Sequence, residues 1–262
     1  MQERPSEGVD VRVHIASIDT AAATELAVRS SRVFAGEPFE LVVGDGGSTD
    51  GSVEMLRQLE QQGLLSFEGT ADGRSHAEWL DDWVERCDRR YAVFVDSDVE
   101  FLRHGWLADM VRVADETSAA LVCAELLEGN PHYIHPITGD EARLEKRPSP
   151  WLVLVDPASV RATSASFAYM SEDDPAAPGG AIAYDVGADL FRRLEGAGLH
   201  CAVMPTEFRK KYRHFGGLSW KPLRGRYGFR QAKKIATVRW RLTWVRRSQS
   251  RACLAGLLSE RR

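Results

Sequence analysis

The sequence predicts an α/β protein: a mostly parallel central sheet flanked by helices, followed by a basic helical C-terminal extension. Three observations carry this. β-α steps recur through the first hundred residues, the run YAVFV at 91–95 is apolar at every position, and the charge divides sharply at Phe208. The 262 residues are 44% hydrophobic and 27% charged, enough to bury a substantial core and incompatible with disorder throughout.

The elements follow in order. Residues 11–17 (VRVHIAS) alternate as a strand does, and 21–34 (AAATELAVRSSRVF) carry Ala and Leu at helical spacing. The step repeats with the strand 39–43 (FELVV), the loop GDGGSTDGS and the helix 52–62, whose apolar positions 53, 56 and 59 share a face. A third strand is expected at 64–67, a helix at 76–90 with Ala77, Leu80 and Val84 in register, and a fourth, central strand at 91–95. Together these make a Rossmann-like half. The second half is less regular: a helix at 104–116, a strand at 119–126, and shorter strands near Tyr133 and at 151–155. The loop 171–180 (SEDDPAAPGG) reads as a flexible lid, the helix 186–197 as capped by Asp185, and 201–204 as a last core strand.

Composition narrows the function. Cys87, Cys123, Cys201 and Cys253 stand far apart with no C-x-x-C pair, which argues against a zinc knuckle or a disulfide framework and fits a reducing cytoplasm. The polar first ten residues and the absence of a long uncharged apolar run lead us to expect neither a signal peptide nor a membrane span. Residues 1–207 hold 17 basic and 37 acidic side chains, whereas 208–262 hold 17 basic and one acidic. Such a tail either lies against its own acidic body or meets an anionic partner. On a helical wheel of 228–247, Ile235, Val238, Leu242 and Val245 form an apolar stripe, while Trp240 and Trp244 project from nearly the opposite side among arginines. One face would dock, and the other has the composition of an anchor on an anionic membrane surface at the inner face of the cell. No nucleic-acid motif accompanies the charge, so no nucleic-acid partner is expected.

The chemistry concentrates at strand ends. Asp96-Ser97-Asp98 follows YAVFV directly, and ligands of parallel α/β sheets bind beyond the carboxyl ends of strands. Two neighbouring acids there repel each other, and Mg²⁺ or Mn²⁺ offsets that most simply; acids in an ordinary loop are the alternative. The loop 44–51 is either a backbone approach to a ligand or a glycine-rich β-α turn capped by Ser48 or Asp50. With Thr at 49 and no Walker lysine, it is neither a dinucleotide fingerprint nor a P-loop. His76 at a helix start reads as solvated, and Trp79, Trp83 and Trp106 as core residues able to stack on a ligand.

The order VHIASIDT, VVGDGGSTDGS, ADGRSHA and VFVDSDVEF resembles the nucleotide-binding half of family 2 glycosyltransferases of the GT-A fold, closely over 11–106 and loosely to 220. The resemblance implies a domain at 1–207 with a donor half to about 106 and an acceptor half beyond it, and 208–262 as the basic extension. It implies a nucleotide-diphosphate sugar donor, held by Ala16, Ser17, Asp19, Asp45, Gly73, Arg74, Asp96 and Ser97. The metal would fall to Asp96, Asp98 and a returning His214 of YRHFGGLSW, His76 would face the same region, and the reaction would invert the anomeric carbon. The family takes its general base from an acidic pair ahead of a helix ending R-L-x-x-A-G. Residues 193–198 match that ending, but Val186 and Gly187 hold the acidic positions, which leaves Asp185 as the expected base and Asp189, Glu172, Asp173 and Asp174 as the other nearby acids. The acceptor would be a glycan, a lipid-linked sugar or a small molecule. A sugar-1-phosphate nucleotidyltransferase would need a glycine-rich basic first loop, which ASIDTAAAT lacks. A catalytically silent scaffold with a membrane-binding tail is the non-enzymatic alternative.

Overall fold

The computed structural model describes residues 10–134, 139–218 and 229–259, with 249–259 as helical backbone only. Residues 1–9, and Ser219 and Trp220 of the HFGGLSW segment, lie outside the described residues.

Strands β1 (Val11–Ser17), β2 (Glu40–Asp45), β3 (Ser66–Thr70) and β4 (Tyr91–Val95) alternate with helices α1 (Ala21–Phe34), α2 (Ser52–Gln61) and α3 (His76–Arg86). Then come β5 (Val99–Phe101), α4 (Trp106–Thr117), β6 (Leu121–Cys123), β7 (Leu126–Leu127), β8 (Asn130–Ile134), β9 (Glu141–Leu144), β10 (Arg147–Pro148), β11 (Leu152–Val155) and α5 (Pro157–Thr163). The chain continues through β12 (Met170–Asp173), β13 (Ala181–Tyr184), α6 (Ala188–Gly196), β14 (Cys201–Val203), β15 (Tyr212–His214) and α7 (Phe229–Ser259). The seven-stranded sheet has the order β14-β6-β11-β4-β1-β2-β3, and β11 is its antiparallel member. Among the described residues no helix is long and apolar enough to cross a membrane.

Strand alternation divides the core between two faces. Val11, Val13 and Ile15 pack with residues of α2 and α4, while Ala92 and Phe94 pack against α3, α5 and α6. His14 faces the second layer, stacked on Trp83 at 4.8 Å and Phe94 at 5.5 Å; it is 2% exposed and neither ring nitrogen has a hydrogen-bond partner. Burial, with the nearby Arg12 and Arg86, pushes its pKa well below the usual 6.5, so folded His14 stays neutral. The unfolded chain takes up a proton near pH 6.5 that the folded chain refuses, so stability present above that pH is lost below it. Between pH 7.5 and 5.5 wild type should lose about 1.4 kcal/mol relative to His14→Phe. Urea unfolding at both pH values checks this, and identical pH dependence in the two proteins would refute it.

Several boundaries differ from expectation for local reasons. α3 stops at Arg86, where Arg161 donates to the Val84 and Cys87 carbonyls. The third strand begins later, because Leu64 N donates to Leu59 O in the turn after α2. The expected strand at 119–126 is two, because the chain leaves the sheet near Glu125, whose N–H donates to Ser149 Oγ. The segment 171–180 is not a free lid. It forms β12 and a tight turn in a four-stranded sheet of order β12-β13-β9-β8, and a Cβ at Gly179 would meet Glu141 O at 1.9 Å.

The extension packs on the body. Val238, Leu242 and Val245 bury against Ala23 and Leu26 of α1, with Phe215 and Leu218, and Ile235 is partly buried beside them. Arg241 reaches the buried Glu100, and Arg246 the buried Glu25, so basic tail and acidic body do attract. Trp240 and Trp244 remain 65% and 48% exposed.

Candidate active site

The carboxyl ends of β1, β2 and β4 meet at one edge of the sheet. Beyond β4 the chain turns within four residues, closed by Val99 N donating to Asp96 O at 3.1 Å, which sets Asp96 and Asp98 side by side. Ser97 accepts from Thr20 Oγ1 at 3.0 Å, within a cluster of hydroxyls that includes Ser17 and Thr24 at the start of α1. β15 pairs antiparallel with β5, His214 opposite Val99, and Phe215 N donates to Asp98 O. That pairing brings His214 Nε2 to 3.2 Å from Asp98 Oδ1 and 3.7 Å from Asp96 Oδ2. One ligand atom from each of Asp96, Asp98 and His214 lies within 4.8 Å of the others.

The electrostatics match the geometry. Burial pushes the Asp96 carboxyl above the usual range and Asp98 adds to this, while His76 and His214 pull the other way. Burial opposes the imidazolium of His214, but the hydrogen bond and charge of Asp98, with Asp96, outweigh it and raise its pKa. Its ring stacks on Trp151 with centroids 4.6 Å apart, which fixes the plane of the imidazole.

Two cavities adjoin the acids. One of about 320 Å³ is lined by Ala16, Ser17, Ile18, Gly46, Arg74, Ser75, His76, Trp79, Asp96, Ser97 and Asp98. The other, of about 470 Å³, shares His76, Asp96 and Asp98 and adds Arg147, Trp151, Asp185, Val186 and His214, among others. Most of the residues expected from the sequence therefore converge. Arg74 lies over the Trp79 ring at 4.6 Å and pairs with Asp82 at 3.2 Å. Gly73, at φ +77°, makes the turn that delivers it without lining the cavity itself.

Asp45 and Asp19 reach the strand ends but do not line this cavity. Asp45 is 0% exposed, because Oδ1 accepts from Gly47 N and Ser48 N and Oδ2 from Ser48 Oγ. It shapes the loop from behind and leaves the cavity wall to Gly46. Asp19, at φ +48°, accepts from Thr49 N at 2.7 Å and ties the first loop to the second.

Asp185 lies in the second cavity and is not a helix cap; Gly187 holds that position before α6. Its Oδ1 accepts from Val186 N, and Arg147 reaches Oδ2 at 2.7 Å. Three of the four other acids are engaged elsewhere: Asp189 is buried between Arg192 and Arg193, Glu172 accepts from Tyr184 OH, and Asp174 closes the turn after β12, while Asp173 is exposed at the end of β12.

Sequence reasoning missed Arg147 and Trp151, which sit in a stretch without periodicity. Of the two readings of His76, a solvated helix start and a place facing the site, the geometry favours the second, with Nε2 3.3 Å from Asp96 Oδ1. The ADGRSHA segment was the available signal, since its Ser75 forms a capping box with Glu78 just beyond the segment and so starts α3 at the cavity wall. Trp79 is both core and wall, tilted against Trp83 at 4.9 Å.

A mostly parallel sheet with metal-competent acids and a cavity at its carboxyl edge is the arrangement of the GT-A class. Within that class the chain belongs to glycosyl transferase family 2, whose profile matches residues 18–169. No curated protein sequence is significantly similar to the chain. Among solved structures, the mannosyltransferase PcManGT from Pyrobaculum calidifontis, in complex with GDP-Man and Mn2+, has a TM-score of 0.55 at 17% identity, covering 98% of this chain and 80% of that one. S. aureus TarS 1-349 has a TM-score of 0.52 at 14% identity, covering 93% and 73%. Its complex with UDP matches at 0.45 and 16% identity over 61% of this chain, and the match spans half the length of that one. At these identities the likeness is one of fold.

Proposed function

We propose that this chain is a divalent-metal-dependent glycosyltransferase that moves a sugar from a nucleotide-diphosphate donor to an acceptor hydroxyl with inversion. The observation that carries this reading is the convergence of Asp96, Asp98 and His214 between two cavities, one for the donor and one holding Asp185. Two hard carboxylates and an imidazole, with no thiolate among them, are a donor set suited to Mn²⁺ or Mg²⁺. The GDP-Man and Mn2+ of the PcManGT complex support the same choice. Bound there, the cation would neutralise charge developing on the departing nucleoside diphosphate.

The chain's own residues do the rest. Trp79 and Ala16 offer an apolar wall to the nucleoside, Ser17 and Ser97 sit beside the ribose position, and Arg74 at the rim meets phosphate oxygens. Asp45 and Asp19 act indirectly by holding the loops that shape the cavity. Asp185 accepts the acceptor hydroxyl's proton while that oxygen bonds to the anomeric carbon and the bond from that carbon to the phosphate oxygen breaks. A single displacement of this kind inverts the centre. Arg147 fixes the orientation of Asp185. We read 1–207 as the catalytic domain and 208–262 as an extension that completes it, because His214 belongs to the extension.

Thermal unfolding with UDP, GDP, dTDP or CDP, each with Mn²⁺, Mg²⁺ or chelator, tests the reading. One nucleotide at a hundredfold over its Kd should add about 2.7 kcal/mol in metal only. No shift with any of the four would leave the silent scaffold as the better account.

The outward Trp240 and Trp244, with exposed Lys233, Arg239 and Arg247, favour a second property, peripheral attachment to an anionic bilayer through the free face of α7. Co-sedimentation with vesicles containing phosphatidylserine, and not with phosphatidylcholine alone, is the expected result. Equal binding to both, or to neither, would remove it.

A further inference from the structure

The small four-stranded sheet carries a feature that the donor chemistry does not use. Its register puts one set of side chains on a single face. Met170 pairs with Tyr184, and Ser171 with Ala183, so Tyr169 stands next in line to Asp185. Ile182 pairs with Arg143 on β9, which aligns Ala181 with Ala142, and Ala142 pairs with Tyr133 on β8. Tyr133, Ala142, Ala181, Ser171 and Tyr169 thus share one face, with Asp185 at its end. They line a cavity of about 450 Å³ together with Asp140 and Glu141. Alanines and tyrosines share its lining, and Tyr169 is 46% exposed.

We infer that this face is the acceptor subsite and that it takes an uncharged saccharide, delivered along the sheet to Asp185. The inference rests on the glycosyltransferase reading. A pyranose presents apolar C–H faces and a rim of hydroxyls, which suits tyrosine rings bordered by carboxylates. The described lining contains Asp140 and Glu141, the latter also 3.0 Å from His132, and no lysine or arginine. A phosphate or uronate would be repelled there, whereas sugar hydroxyls can donate to Asp140; Glu141, next to Ala142 in the strand, turns its carboxylate to the opposite face beside His132. Burial first and the field of Asp185 next push both tyrosine pKa values up, which places the three groups in one electrostatic neighbourhood.

Saturation-transfer NMR with cellotetraose, maltotetraose, chitotetraose and mannotetraose, and with tetragalacturonate as the anionic probe, tests this in the presence of Mn²⁺ and each of the four nucleoside diphosphates. At least one neutral tetrasaccharide should bind. Tyr133→Ala/Tyr169→Ala should weaken it about tenfold or more, and Tyr133→Phe/Tyr169→Phe should keep binding within about threefold, because the ring face is retained. The metal-dependent nucleotide shift should be the same in all three proteins. The inference is overturned if no neutral saccharide binds while that shift is present, if tetragalacturonate binds best, or if the double alanine variant binds as wild type does. Saccharide binding lost in the alanine variant, with no nucleotide shift in any protein, would uphold the subsite and overturn the donor reading instead.

Discussion

Asp98→Asn should lower sugar transfer by about 10³-fold and abolish the metal-dependent nucleotide shift, while the fold survives. Asp98 is nearly buried, accepts weakly from Leu218 N at 3.4 Å and faces His214 at 3.2 Å. Asparagine keeps the volume and one acceptor oxygen for these neighbours. It also removes the repulsion with Asp96, which offsets the lost attraction to His214. What disappears is the charge on which a cation depends. Asp185→Asn separates the two roles: nucleotide and metal should bind as before, while turnover falls by about 10²- to 10⁴-fold. Initial rates and thermal shifts on the same preparations check both, and transfer by Asp98→Asn within tenfold of wild type would contradict the metal assignment.

Arg241→Met should cost about 3 kcal/mol of stability, roughly 6–12 °C in melting temperature for a chain of this size. Glu100 is 0% exposed at the centre of β5, accepts from Arg241 Nε at 2.5 Å, and among the described residues otherwise has only the looser Arg213, at 3.6 Å. Removing Arg241 strands a buried carboxylate, the expensive way to break such a pair. Glu100 lies opposite Arg213 in the ribbon that brings His214 to the acids, so the variant should also bind Mn²⁺ more weakly. Arg241→Met/Glu100→Met should recover most of the stability, since an apolar pair of similar volume avoids the desolvation cost. Urea titration of the three proteins measures this, and a loss below about 0.5 kcal/mol in the single variant would mean that Arg213 alone compensates.

The same contact marks how far reading by pattern reaches. β1, α1 and β4 have the bounds expected of them, because their alternating, helical or wholly apolar patterns reflect burial within a few residues of chain. The acidic turn after β4 was legible for the same reason, since a short apolar strand followed by two acids already implies a carboxyl edge. So was the docking stripe of α7, whose period is that of the helix itself.

The irregular half gave weaker signals. β8, β9, β12 and β13 are short, β8 and β12 are mostly exposed, and the pairing of β9 with β13 that joins the two hairpins is distant in sequence, so 171–180 reads as a loop until pairing makes it a sheet edge. Asp45 shows the limit at a single residue: its motif was readable, but whether its oxygens face a ligand or the N–H groups of its own loop depends on side-chain direction, which spacing does not encode. The bounds of β1, α1 and β4, the acidic turn after β4 and the charge division were determined by the sequence alone. Tertiary structure decided that His214 meets Asp98 across more than a hundred residues and that Arg147 holds Asp185, because each is a contact between segments that local pattern leaves independent, and side-chain direction within one loop decided that Gly46 lines the donor cavity while Asp45 lies behind it.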